Sequence, residues 1–243
     1  MQPIFLVTLR ALGQGRRLLA IGVLLVIPAL LAVAYITSAG RRDGGRFAVE
    51  LFGSLVLPII LPLVALVFAT SALGGEIEDR TLLYLTLRPV SRLAIVVAKL
   101  GAVVVLTLGL VDLSLAGTYL IAVRGAIDAG TLGAILLGGL GGSLAYASLF
   151  LLLGLLIPRR ALIVGFLYVL VWEGTAAGLS TALATLSIRR YVVGALDAGL
   201  GSSPLAAVQP ASVGGAASLI VLALVVVLGV GVTTTMLRRL GLP

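Results

Sequence analysis

The sequence predicts an all-α polytopic membrane protein with six transmembrane helices, and three observations carry that prediction. The 243 residues are 60% hydrophobic and 11% charged, with a mean hydropathy of +1.25. Soluble domains carry about 25% charge. Uncharged runs recur at lengths near the roughly 20 residues that a helix needs to cross a hydrocarbon core of about 30 Å. Most of the charge falls between those runs or at their ends.

Several function classes drop out on composition. The net charge of +8 comes from scattered residues, without a basic run or interleaved aromatics, so nucleic acid is not an expected partner. The chain has no cysteine and no histidine, which removes disulfides, thiolate metal sites and the usual general base. No G-x-x-x-x-G-K-[ST] occurs, and the single lysine, Lys99, follows alanine, so any ATP hydrolysis belongs to another polypeptide. H-E-x-x-H is also absent. The chain is expected not to be an enzyme and to hold no catalytic residue, metal or cofactor of its own.

Residues 1–17 place Arg10, Arg16 and Arg17 among short apolar stretches. This fits an interfacial amphipathic helix leading into the first span, and the long apolar run that follows rules out a cleavable signal peptide. Span one is expected at 18–40 with Pro28 inside it, and span two at 51–73 with Pro58 and Pro62 as bends. Span three is expected at 93–123, span four at 129–157, span five at 161–179 and span six at 216–237. Residues 180–215 are too long for a simple connection. Their breaks at 186–191, Pro204 and Pro210 suggest short half-helices in the outer leaflet, with an ordinary external loop as the alternative. With the N-terminus inside, eleven basic residues fall on the cytoplasmic side and six outside, which favours cytoplasmic termini.

The most informative stretch is 74–99, GGEIEDRTLLYLTLRPVSRLAIVVAK. Gly74-Gly75 is expected to break the preceding helix. Glu76, Glu78 and Asp79 suit the positive end of a short new helix, and Arg88 its negative end. Pro89 would stop it, and Ser91 can cap the next. A charged loop with one helical turn is the plainer alternative.

Glu76, Thr81-Leu82, Leu85, Pro89-Val90-Ser91-Arg92 and Lys99 stand at the spacing of the first cytoplasmic loop of ABC-2 type transporter permeases, and the stretch resembles that loop. Arg80 stands where the family often has glycine. The resemblance implies that 74–92 is a cytoplasmic coupling loop whose short helix docks on an ATPase subunit. Glu76, Ile77, Glu78, Asp79, Thr81, Leu82, Leu85, Arg88, Pro89 and Arg92 are then the contact residues. The acids would meet polar or basic groups of the ATPase, the leucines would divide between its groove and the membrane helices, and Pro89 and Arg92 would set the angle into span three. The resemblance further implies an elbow helix at the N-terminus and short external helices before the last span. It implies two ATPase subunits that bring ATP and magnesium, a second permease subunit, identical or related, and export across the cell membrane.

Two acids, Asp112 and Glu173, lie at membrane depth, where a charge costs about 2.5–3.5 kcal/mol on insertion scales and is usually turned toward protein or water. Both are candidates for a transport path, with structural anchoring as the alternative. Gly138 and Gly142 in span four, and Gly174 and Gly178 in span five, form small-xxx-small pairs suited to close helix packing within one subunit. A membrane scaffold or assembly factor that holds a soluble partner through the same loop is the alternative function. An ion channel is disfavoured by the lack of a ring of pore-lining polar residues. The substrate is not legible.

Overall fold

The computed structural model describes residues 2–14, 16–38, 43–78, 90–125, 127–176, 181–200 and 213–240. Every regular element among them is helical. In chain order these are α1 (Gln2–Leu12), α2 (Arg16–Ser38), α3 (Gly44–Leu51), α4 (Leu61–Thr70), α5 (Glu76–Glu78), α6 (Arg92–Val123), α7 (Ala129–Leu156), α8 (Ala161–Leu167), α9 (Thr181–Ala184), α10 (Ile188–Leu200) and α11 (Gly215–Leu240). Wide π-helical turns at Phe52–Ile60 and Ser71–Gly75 join α3, α4 and α5 into one rod, and a third at Tyr168–Ala176 extends α8. Among the described residues five helices are long and apolar enough to cross a membrane: Arg17–Ser38, Gly44–Gly75, Arg92–Val123, Ala129–Leu156 and Gly215–Arg239. The chain is a multi-pass membrane protein.

Local chemistry explains where the long helices start. Asp43 Oδ1 accepts from the N–H groups of Gly45 and Arg46 at 3.0 and 3.2 Å, so the second rod begins before its uncharged run and carries Arg46 and Glu50 in its first turns. Ser91 caps α6, its Oγ accepting from Ala94 N at 3.2 Å. Asp128 caps α7 through the N–H groups of Gly130 and Thr131 at 3.2 and 3.1 Å. Each cap satisfies backbone donors that a helix start leaves without partners. Pro58 lies inside the first wide turn, where its missing donor and bulky ring are absorbed by loosening the helix.

The second rod does not break at Gly74-Gly75; it continues through them to Glu78. Gly74 serves contact instead of breakage, while Gly75 has nothing within 4 Å of a Cβ position. A Cβ on Gly74 would stand 3.2 Å from the Gly154 carbonyl oxygen, and one on Gly154 would meet Thr70 Cα at 3.0 Å. The missing side chains let two backbones touch. Residues 79–89, expected to form most of the docking helix, lie outside the described residues.

The rod and α7 form the centre, with α6 beside both. Gly138 of α7 receives Phe52 and Leu196, and Gly142 receives Leu61 and Leu57, so this small-residue stripe packs within the chain. Phe52, Leu57, Leu61, Leu66, Phe68, Tyr146 and Phe150 are all buried here. Among the described residues α2 packs mainly on α6, and α11 on α10, α7 and α6. Both turn a long apolar face outward, through Leu19, Val23 and Leu30 on one and Ile220, Val227 and Leu228 on the other. Such faces belong against lipid or another membrane chain.

Polar cross-links fix the Val123 end of the bundle. Arg124, at φ 51°, donates from Nη2 to the Ile36 carbonyl at 2.6 Å, which satisfies an acceptor in the last turn of α2. Ser114 donates to Leu25 O at 2.6 Å. Tyr119 OH accepts from Asp128 N at 3.0 Å, which ties α6 to the start of α7. The hydroxyl of Thr131 and the backbone N–H groups of Thr131 and Gly130 hold the Asp128 carboxyl below its ordinary range.

Candidate functional site

The two rods that bracket residues 79–89 meet at Lys99. This side chain sits on α6 about two turns after Arg92 and is 0% exposed. A buried ammonium is costly unless it is paired and hydrogen-bonded. Both conditions are met across the helix pair: Nζ donates to the Ala72 carbonyl at 2.6 Å and to Glu76 Oε1 at 2.5 Å. Ala72 lies in the wide turn Ser71–Gly75, and Glu76 starts α5. The result is a clamp that holds the end of the second rod against the start of α6.

Neighbouring elements seal the clamp. α1 packs along α6, with Phe5 about 3.6 Å from where Gly101 would carry a Cβ, and Thr8 and Leu12 are buried. α7 ends beside Gly74, and the turn Pro158–Arg160 that follows touches α5. Ile77 packs partly buried against the core. Arg92 opens α6, and its Nη1 is buried without a hydrogen-bond partner. Exposed arginines, Arg159 and Arg160, crown this end of α7.

Of the residues expected to contact an ATPase, then, Glu76 faces Lys99, Ile77 faces the core, Glu78 ends α5 and Arg92 begins α6. Asp79, Thr81, Leu82, Leu85, Arg88 and Pro89 lie outside the described residues. Lys99 is absent from the contact set read from the sequence. Its signal was present all the same: one lysine inside an apolar run, with no acid within its own helix close enough to neutralise it.

The two membrane-depth acids have opposite surroundings. Glu173 is 1% exposed and accepts from Tyr168 OH at 3.1 Å, Ser187 OH at 2.6 Å and Ile188 N at 2.9 Å. The last two contacts cap the start of α10, so this carboxylate staples the third wide turn to the helix that follows. Tyr146 of α7 faces the same cluster. Asp112 on α6 lies against Gly139 of α7, and its buried Oδ1 makes no hydrogen bond. Among the described residues no group of three or more acids is placed to hold a metal ion.

The sequence model of a family described as ABC-2 family transporter protein matches residues 16–187, more than two thirds of the chain. No curated protein matches it.

Proposed function

The chain belongs to the ABC-2 family of transporter proteins and is a transporter permease, and from that premise we propose that it is the membrane-spanning subunit of an exporter driven by a separate ATPase. In this reading six helices cross the cell membrane, with 161–179 as the fifth span and both termini in the cytoplasm. Two such subunits pair, and two ATPase subunits dock beneath them on residues 76–88. ATP and magnesium are held by those partners. Closure of the ATPase pair presses on the docking segment, and the push enters the membrane where that segment joins its two spans.

One observation carries this reading: the Lys99–Glu76–Ala72 clamp. A loose root would let the docking segment swing without moving the bundle. The clamp binds the root to the second rod and to α6 at one point, so displacement of the segment must displace both. Glu76 thereby acts from inside the membrane domain, and in this reading the partner contacts fall to the other acids of the motif, Glu78 and Asp79.

The test is a pull-down of the intact protein from its native membranes, with mass spectrometry of what co-purifies. The expected partner carries a G-x-x-x-x-G-K-[ST] motif, and charge reversal at Glu78 and Asp79 releases it while the permease still inserts. Recovery of a soluble partner without such a motif would replace this reading with that of a membrane scaffold.

A further inference from the structure

Asp112 of α6 is a partly buried carboxyl with no ion-pair partner among the described residues. The residue lies 11 positions before Val123, about 16 Å inside that end of α6 at 1.5 Å per residue. Its Oδ1 is buried and makes no hydrogen bond. The carboxyl fits the notch left by Gly139, where any Cβ would overlap Oδ1. Ser143, one turn further on the same face of α7, also buries its hydroxyl without a partner. The other flank is open: Asp112 is only partly buried, Leu113 is 73% exposed, and Gly109, one turn away, has nothing near the position of its Cβ.

Among the described residues no basic side chain pairs with this carboxylate, and Arg189 at the start of α10 stands near Glu173 and Tyr146 instead. Helix α7 has no charged residue, and neither does the rod between Phe52 and Gly75. Arg46 and Glu50 of α3 pair with each other, and Lys99 is engaged with Glu76. In α2, α6 and α11 the remaining basic residues are Arg16, Arg17, Arg92, Arg238 and Arg239, each near a helix end. The titratable Tyr119 of α6 is committed to Asp128, and Tyr146 of α7 faces Glu173. Glu173, by contrast, is fully tied into the fold.

We propose that Asp112 is the recognition group for the cationic head of a membrane-soluble organic cation, reached across the Gly109 flank. The inference rests on the permease reading only in making that ligand a transport substrate. An unpaired charge at this depth is disfavoured, so the carboxylate gains an ion pair from a cation that reaches it. A hydrated metal ion is a poor competitor. Calcium needs 6–8 oxygen ligands and magnesium a near-octahedral shell, whereas one carboxylate and one hydroxyl stand here. A delocalised organic cation carries little hydration to lose and already partitions into lipid.

The experiment uses the full-length protein in lipid nanodiscs, without any ATPase, and tetraphenylphosphonium as the probe. Wild type is expected to bind it saturably. Asp112→Asn, which keeps the shape and removes the charge, should weaken binding at least tenfold. Gly139→Ala, which displaces the carboxyl from its notch, should also weaken binding. Equal binding by wild type and Asp112→Asn, or no saturable binding by well-folded wild type, overturns the proposal. Equal competition by a neutral amphiphile of the same size overturns it too. Because no ATPase is present, these outcomes are independent of the pull-down that tests the permease reading.

Discussion

Breaking the Lys99 clamp from either side should have unequal consequences. Glu76→Gln keeps the shape of the side chain but removes the charge, stranding an ammonium that is 0% exposed with neutral acceptors only. Removing one partner from a fully buried pair costs about 3–5 kcal/mol. The Glu76 side chain is 31% exposed, so water can reach the pair, and about 2–3 kcal/mol is the reasonable expectation. Lys99→Met instead deletes the buried charge and leaves Glu76 near solvent. It loses the two hydrogen bonds of the ammonium but fills the same volume with apolar atoms, for a cost of about 1–2 kcal/mol. The double variant should therefore be more stable than Glu76→Gln alone.

Thermal unfolding in nanodiscs, followed through the fluorescence of the single tryptophan, Trp172, measures this. At roughly 2–4 °C per kcal/mol for a chain of this size, Glu76→Gln should lower Tm by about 4–12 °C. Lys99→Met should lower it by less, and adding Lys99→Met to Glu76→Gln should restore part of the loss. A Lys99→Met variant as unstable as Glu76→Gln, or strictly additive losses in the double variant, would refute the clamp.

Other expectations concern the packing and the caps. Gly154→Ala places a methyl 3.0 Å from Thr70 Cα and 3.1 Å from its carbonyl oxygen; backbone cannot yield as a side chain does, so a loss of about 1–3 kcal/mol is expected in the same unfolding assay. Glu173→Ala leaves the Tyr168 and Ser187 hydroxyls and Ile188 N without their acceptor, and hydrogen exchange at the start of α10 should rise at least tenfold, as expected for about 1–3 kcal/mol per stranded buried group. Asp128 has a lowered pKa in the fold. Its stabilising effect is therefore complete above the ordinary carboxylate range and lost as pH falls through the lowered value. Asp128→Asn should flatten the acid limb of a stability–pH profile measured by unfolding, while Asn still caps α7.

Much of the candidate site was legible as residue types and spacing. Ser91 announces its helix by position alone, because a cap acts over three residues. Glu76 and Lys99 both belong to the motif by which the sequence resembles ABC-2 permeases, yet their mutual contact was not readable. They stand 23 residues apart, on different helices, and meet only if both helices have the right rotation and register. The expected break at Gly74-Gly75 failed for a related reason. Glycine's conformational preference argues for a break, but the helix continues, and the absent side chain of Gly74 is used for close packing on Gly154.

What the sequence determined by itself is what local composition controls: a helical, multi-pass membrane chain carrying one densely charged stretch between its apolar runs. Lipid offers no hydrogen bonds, so long uncharged runs must become helices wherever they pack. The tertiary structure alone decided how the buried charges are treated. It pairs Lys99, ties down Glu173 and leaves Oδ1 of Asp112 without a hydrogen bond among the described residues. The worth of a charge in a low-dielectric interior depends on what lies within a few ångströms of it, and those neighbours come from other helices.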